Sequence, residues 1–215
     1  MNIESRRLLF ETVDIYPVTC ERLSNGRSNL EVLEGLIEGG AKIVQLREKE
    51  LGTRDFLRLA EIFRERTAKA RMLLIINDRV DIAIAVGADG VHLGQEDLPL
   101  PQARKMAPDL LIGASSHNLE EALRAQNEGA DYVNIGPIFP TRTKAGVEHF
   151  LGPQAISQIA PRLRIPFTVM GGIKDANIEQ VLREGAGKVA VVTAITQAPD
   201  IAKAVRFFRE MIKAR

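Results

Sequence analysis

A short glycine-containing motif recurs four times along this chain of 215 residues. Each copy follows a helix-like stretch and leads into a short apolar run; the copies are Glu38–Ala41, Val86–Asp89, Glu128–Asp131 and Glu184–Gly187. Glycine just past a helix end accepts the left-handed turn that is common there. These repeated helix-to-strand joints predict βα units, in which parallel strands are connected through helices.

The apolar runs and helical patterns alternate through the chain. The predicted strands are Ile15–Thr19, Lys42–Leu46, Leu73–Ile76, Gly90–Leu93, Leu111–Ala114, Tyr132–Ile135, Phe167–Met170 and Lys188–Val192. The predicted helices are Asn29–Glu38, Thr53–Lys69, Arg79–Val86, Pro101–Met106, Asn118–Glu128, Gly152–Ala160, Asp175–Arg183 and Pro199–Ile212, with Thr53 and Asn118 as caps.

Eight such units predict an α/β protein with a single-domain (β/α)8 TIM barrel over residues 1–215. Residues 1–13 are expected to form a short N-terminal extension that caps the closed end of the barrel. A doubly wound sheet is the alternative. It is disfavoured because no glycine-rich dinucleotide fingerprint follows the first strand.

Charge and composition exclude several classes of partner. The chain has 29 basic and 28 acidic residues, which gives no reason to expect a nucleic acid or an anionic membrane. The single cysteine, Cys20, excludes an internal disulfide framework and suits a reducing compartment. No apolar run approaches the ~20 residues that cross a bilayer. We therefore expect a soluble cytoplasmic protein with small-molecule substrates, and the oligomeric state stays open, a homodimer included.

Two predicted strand ends suit phosphate binding. Gly171-Gly172 follows the seventh strand and Val192-Thr193 follows the eighth. In a barrel, the loops at these two places commonly bind phosphate through backbone N–H groups at a short helix start. The alternative is an ordinary glycine turn beside an exposed threonine. Because the glycine pair and the threonine segment occur together at the two expected places, the pattern favours phosphate binding.

The second predicted strand ends in a basic segment. Gln45, Arg47 and Lys49 alternate with other residues, so their side chains can point the same way. Two cations and an amide on one side suit a pyrophosphate joined to a polar ring. The alternative is a solvated loop in which the lysine pairs with a neighbouring glutamate.

Carboxylates follow the third and fourth predicted strands. Asp78 and Asp97 lie on adjacent loops, where they can share a hard divalent cation such as Mg²⁺. Taken singly, Asp78 could instead cap the helix that begins near Arg79, and Asp97 could form a turn before Pro99. The pair beside a basic rim favours the metal.

The fifth and sixth strands add further polar groups. Ser115 can donate to a phosphate oxygen, and no His–Asp partner that would make it a nucleophile is evident. The segment Thr141–Lys144 offers two hydroxyls for a carboxylate or phosphate, or else forms a mobile solvated loop. The histidines are weak candidates for a catalytic base, with His92 expected in the barrel interior, His117 in a loop and His149 exposed; no Cys/His cluster suggests zinc.

In combination these motifs resemble the thiamine-phosphate synthase family, whose members are (β/α)8 transferases. The resemblance extends from residue 15 to the C-terminus and rests on Gln45–Lys49, Asn77–Arg79, Val91–Asp97, Gly136–Lys144 and Gly171–Ile173. It departs from the family at Cys20, where many members carry an aspartate.

The resemblance implies a role for each matching residue. The pyrimidine diphosphate would contact Gln45, Leu46, Arg47, Glu48, Lys49, Asn77, Ser115 and Lys144. Catalysis would rest on Arg47, Lys49, Ser115 and Lys144. Mg²⁺ would be held by Asp78 and Asp97. The thiazole phosphate would contact Thr141, Arg142, Thr143, Gly172, Val192 and Thr193.

The implied reaction is the Mg²⁺-dependent, dissociative condensation of hydroxymethylpyrimidine diphosphate with a thiazole phosphate. It gives thiamine phosphate and pyrophosphate, plus CO2 if the thiazole is carboxylated. Three alternatives stay open: a thiazole tautomerase with a base such as His117, a phosphosugar or indole-pathway barrel enzyme, and a non-catalytic thiamine-precursor sensor. The joint presence of Arg47, Lys49 and the two aspartates disfavours the tautomerase.

Overall fold

Eight parallel strands close into a barrel in chain order, as a computed structural model describing residues 1–141 and 149–214 shows. The strands are β1 Ile15–Thr19, β2 Ile43–Leu46, β3 Leu73–Asn77, β4 Gly90–Leu93, β5 Leu111–Ser116, β6 Tyr132–Ile135, β7 Phe167–Val169 and β8 Val189–Val191. Strand β8 pairs with β1, so the sheet has no free edge. The predicted (β/α)8 barrel is confirmed.

Over residues 1–141 and 149–214, ten α-helices accompany the strands, and the second to the eighth lie between successive strands. They are α1 Ile3–Glu11, α2 Asn29–Glu38, α3 Thr53–Lys69, α4 Val80–Ala85, α5 Leu100–Met106, α6 Leu119–Asn127, α7 Gln154–Ile159, α8 Ile178–Arg183, α9 Thr193–Thr196 and α10 Ile201–Lys213. Asn118 caps α6 as predicted, through its side-chain oxygen and the N–H of Glu121 at 2.8 Å. The prediction for Thr53 is wrong, because Gly52 holds the cap position of α3. Within the described ranges, no helix is both long and apolar enough to cross a membrane.

Strand alternation sorts the side chains into two layers. The outer layer packs against the helices and contains aliphatic residues such as Val44 and Leu74, both fully buried. The inner layer fills the barrel and includes two tyrosines, Tyr16 and Tyr132. Gly113 makes room for the second ring, because a Cβ at this position would lie 2.1 Å from Tyr132 Cζ.

Helix α1 lies over the N-terminal ends of the strands. The Phe10 ring stacks on the Tyr132 ring with the centroids 4.4 Å apart. Arg6 donates to the Asp109 carbonyl at 2.5 Å, and Arg7 pairs with Asp131 at 2.7 Å. One aromatic contact and two arginine contacts therefore fix α1 beneath the barrel interior.

The aspartates that end two of the glycine joints have equivalent roles. Asp89 Oδ2 accepts the N–H of Leu74 at 2.9 Å, and Asp131 Oδ2 accepts the N–H of Ile112 at 2.7 Å. Asp89 also pairs with Arg64 of α3 at 2.7 Å, and Asp131 pairs with Arg104 of α5 at 2.5 Å. The joints thus bind the start of one strand to the start of the next.

Replacing Asp131 by alanine is expected to lower the free energy of unfolding by about 3 kcal/mol, because the change leaves two partly exposed arginines, Arg7 and Arg104, and a buried strand N–H without their partner. The Asp131 side chain is only 2% exposed. Urea denaturation measures the change. Glu179→Ala is the matched control, since this carboxylate pairs with Arg183 while 61% exposed and should cost less than about 1 kcal/mol. Equal losses in the two variants would contradict the role of the joint.

Candidate active site

A lysine and two aspartates meet at the C-terminal rim of the barrel. Lys49 follows β2, and its Nζ lies 2.9 Å from Asp78 Oδ2 in the loop after β3. The Asp97 carboxyl group, from the loop after β4, lies close enough to Asp78 for that carboxyl group to raise the pKa of Asp97. Three neighbouring loops therefore place one cation and two carboxylates together.

Asp78 has a strained backbone. Its φ is +62°, a region that Asp and Asn enter more readily than most residues do. The N–H of Arg79 donates to the Asn77 carbonyl at 2.7 Å and closes a three-residue turn around Asp78. Helix α4 has Arg79 as its N-cap, so the alternative that Asp78 caps this helix is wrong. Such strain concentrates at functional sites.

Burial and a neighbouring carboxylate define the environment of Asp97. Its Oδ2 accepts the N–H of Gly94 at 2.6 Å, so the turn that was considered as the alternative to a metal role is present. Burial raises the pKa of Asp97, and the hydrogen bond and negative charge of Asp78 raise it further. A divalent cation between the two carboxylates would remove this repulsion.

The donor set fits Mg²⁺. In the part of the chain that the structure describes, no three His, Cys, Asp or Glu side chains cluster as a metal site. Two carboxylates alone suit Mg²⁺, which commonly takes one or two from the protein and completes its shell with substrate phosphates and water.

The first two polar residues of the basic segment sit at different depths. Gln45 is buried in the barrel interior, where its Nε2 donates to the Tyr16 hydroxyl at 3.0 Å. Arg47 is half-buried, with Nη1 3.8 Å from Cys20 Sγ. Burial raises the pKa of the Cys20 thiol. A neutral thiol thus lies beside Arg47 where many family members were expected to carry a carboxylate, so the residue at this position does not offset the positive charge of the guanidinium.

The side chains of Leu46 and Glu48 have structural partners. Leu46 is fully buried in the outer layer. Glu48 Oε1 accepts the N–H of Glu21 at 2.6 Å and the side-chain amide of Asn29 at 2.9 Å. In this arrangement, a substrate contact from Leu46 would come from its backbone.

Ser115 has a histidine partner that the sequence analysis did not expect. Its Oγ lies 3.0 Å from His92 Nε2, and His92 Nδ1 lies 3.2 Å from the Tyr132 hydroxyl. A tyrosine, in place of the aspartate of a catalytic triad, therefore orients the ring. Burial lowers the pKa of His92 to about 4, which makes the imidazole neutral at pH 7.

Several positions differ in detail from the predictions. Asn77 and Ser115, expected just beyond their strands, lie within β3 and β5. His92 is buried in the interior and His149 is exposed, as expected. His117 Nδ1 pairs with Glu121 at 2.8 Å, near the start of α6. Tyr16 was missed as a polar partner, although strand alternation places it on the inner face.

The last three strands gather the residues expected to bind thiazole phosphate. Gly172 has a φ of +62°, and a Cβ there would lie 2.5 Å from the Pro140 carbonyl oxygen, so the loops after β6 and β7 touch just before Thr141. Val192 is the N-cap of α9 and Thr193 its first residue, directly after β8. The remaining predicted residues, Arg142, Thr143 and Lys144, lie outside the described residues.

The chain is similar to known proteins in sequence and in fold. A family model described as thiamine monophosphate synthase matches residues 15–195. The chain is 45% identical over 198 residues to a thiamine-phosphate synthase of Chloroflexus aurantiacus, covering 92% of each chain. Identity to a thiamine-phosphate synthase of Caldicellulosiruptor bescii is 40% over 215 residues, covering 100% of this chain and 98% of the other. A thiamine phosphate pyrophosphorylase from Pyrococcus furiosus superposes with a TM-score of 0.87 and 36% identity, covering 98% of both chains.

Proposed function

Because the chain belongs to the thiamine monophosphate synthase family, we propose that it condenses hydroxymethylpyrimidine diphosphate with a thiazole phosphate and releases pyrophosphate. Its place among transferases of thiamine biosynthesis makes it an enzyme, so the alternative of a non-catalytic sensor is excluded. The observation that carries the proposal is the convergence of Lys49, Asp78 and Asp97 on one rim.

Basic residues would hold the diphosphate. Arg47 and Lys49 lie after β2, and Ser115 lies near the rim end of β5. The positive charges of Arg47 and Lys49 and the hydroxyl group of Ser115 would stabilise the negative charge that develops on the departing pyrophosphate. Lys144, outside the described residues, is assigned to the same group by resemblance.

Asp78 and Asp97 would hold Mg²⁺. When bound, Mg²⁺ would supply charge neutralisation at the diphosphate oxygens. Lys49, which is 2.9 Å from Asp78, would keep the two carboxylates partly neutralised before the metal and substrate arrive.

The part of the C-terminal rim formed by the loops after β6, β7 and β8 would hold the thiazole phosphate. Thr141, Gly172, Val192 and Thr193 follow three neighbouring strands, and Arg142 and Thr143 extend this group by resemblance. The first N–H groups of α9 face no acceptor within their own helix, which suits an anion. Phosphate binding here would direct the thiazole nitrogen toward the pyrimidine.

The proposed reaction needs little acid–base chemistry from the protein. The bond to pyrophosphate breaks first, and the aminopyrimidine ring donates electrons to the resulting cation. The thiazole nitrogen then attacks, and a carboxylated thiazole loses CO2. The buried, neutral His92 is consistent with this scheme, in which the protein chiefly positions the reactants and stabilises charge.

A two-substrate assay for pyrophosphate release tests the proposal. Release should require both substrates and Mg²⁺, and it should stop when a chelator is added. A tautomerase would instead convert a thiazole phosphate without any pyrimidine diphosphate. Absence of pyrophosphate and thiamine phosphate with both substrates and Mg²⁺ present would refute the proposed reaction.

Replacing Lys49 by alanine is expected to weaken pyrimidine diphosphate binding about tenfold or more, because a charge-assisted contact is lost. Thiazole phosphate binding should be unchanged. Calorimetric titration with each ligand measures both. Lys42→Ala is the control: this lysine precedes the same strand at its opposite end and donates to the Thr12 carbonyl at 2.8 Å. Equal weakening of both ligands by Lys49→Ala would contradict the division of the pocket.

A further inference from the structure

Five side chains form an unbroken run of hydrogen bonds across the barrel interior. Gln45 Nε2 lies 3.0 Å from the Tyr16 hydroxyl, which lies 2.7 Å from the Tyr132 hydroxyl. Tyr132 lies 3.2 Å from His92 Nδ1, and His92 Nε2 lies 3.0 Å from Ser115 Oγ. The first four side chains are buried, and Ser115 is half-buried. We call these five residues the interior chain.

The chemistry of Gln45 gives the interior chain a direction. An amide nitrogen only donates, so the Tyr16 oxygen accepts from Gln45 and has its own proton left for Tyr132. The Tyr132 proton is then available for His92 Nδ1. A neutral imidazole that accepts at Nδ1 carries its proton on Nε2.

This direction determines the role of the Ser115 hydroxyl. In this tautomer His92 Nε2–H donates to Ser115 Oγ at 3.0 Å, so the serine accepts inside the barrel and its own proton is left for another acceptor. Ser115 lies near the rim end of β5, on the side where the diphosphate is proposed to bind. An O–H group aimed at an anion makes a short, strong hydrogen bond.

We propose that His92 is a positioning residue that fixes the Ser115 hydroxyl as a hydrogen-bond donor to the departing pyrophosphate. This inference rests on the proposed function, since it needs a diphosphate at the rim. His92 neither takes nor gives a proton in the reaction. Its effect passes entirely through the orientation of Ser115.

The interior chain connects two residues that are proposed to contact the same substrate. Gln45 and Ser115 both belong to the residues that the resemblance assigns to the pyrimidine diphosphate. Hydrogen bonds in a buried run polarise one another. A substrate contact at Gln45 would therefore be coupled to one at Ser115 through Tyr16, Tyr132 and His92.

Steady-state kinetics with two substitutions of His92 test the inference. His92→Met should lower kcat/KM for the pyrimidine diphosphate about tenfold, the lower end of losses found when an orienting hydrogen bond is removed. His92→Gln keeps a donor toward Ser115 and should recover most of this loss. His117→Gln is the histidine control, because this ring pairs with Glu121 outside the interior chain. Thermal unfolding confirms that each variant is folded.

A double-mutant cycle separates positioning from a general structural effect. In a Ser115→Ala background, His92→Met should change kcat/KM less than about twofold, because the group through which His92 acts is gone. A full tenfold loss in that background would overturn the inference.

The tautomer of His92 gives a readout that needs no turnover. Heteronuclear NMR of the wild-type protein with labelled histidine should show the proton on Nε2. A proton on Nδ1 would overturn the inference, even if His92→Met failed to fold. Failure of the wild-type protein to release pyrophosphate would instead refute the proposed function, while the tautomer would still report the direction of the interior chain.

Discussion

Asp78→Asn is expected to lower kcat/KM for the condensation about a hundredfold, a loss typical of removing one group that stabilises charge in a transition state. Asparagine tolerates the +62° φ of this position, so the backbone turn should survive. The charge that pairs with Lys49 and faces Asp97 is lost. The Mg²⁺ concentration for half-maximal activity should rise about tenfold or more.

Two further measurements make the Asp78 experiment specific. The pKa of Asp97 should fall in the variant, because the negative charge of Asp78 contributes to raising it. Asp81→Asn is the matched control, since this nearby carboxylate pairs with Arg79 and is 56% exposed. An unchanged Mg²⁺ titration in Asp78→Asn would remove the metal assignment.

Gly113→Ala is expected to lower the free energy of unfolding by about 3 kcal/mol, the upper part of the usual range for overpacking. The new Cβ would lie 2.1 Å from Tyr132 Cζ, and this ring is held by Phe10 on one side and bonded to Tyr16 on the other. The ring therefore has little room to move. Urea denaturation followed by circular dichroism measures the loss.

Gly187→Ala provides the comparison for Gly113→Ala. A Cβ at Gly187 would meet no atom within 4 Å, so its effect should stay within about 0.5 kcal/mol. Equal stability of the two alanine variants would contradict this prediction. It would mean that the inner layer of the barrel can repack around Tyr132.

The barrel could be predicted from the sequence because its signals are local. The glycine joints mark where helices end, and the predicted bounds of α2 and α3 agree with the structure. Strand ends were predictable to within about two residues, since apolar runs stop where the rim begins. Placing Asp78 and Asp97 near each other followed from the order of neighbouring strands.

The interior chain could not be predicted, because its contacts depend on register between distant strands. Tyr16 and Tyr132 are 116 positions apart, and their hydroxyls meet only once the barrel is closed. The wrong cap at Thr53 has a local cause, since threonine suits both a cap and a first helical turn. The positive φ of Asp78 comes from the tight turn between β3 and α4 and has no signature in the composition.

The aspartates of the glycine joints and helix α1 occupy the end of the barrel away from Lys49 and Asp78. Damage at Asp89 or Asp131 should therefore reduce the yield of folded protein without altering selectivity. A library meant to change substrate preference is best randomised in the segments that follow the strands, with the joints left intact. Variants with altered substrate preference would then be selected in a barrel that keeps the stability supplied by the joints.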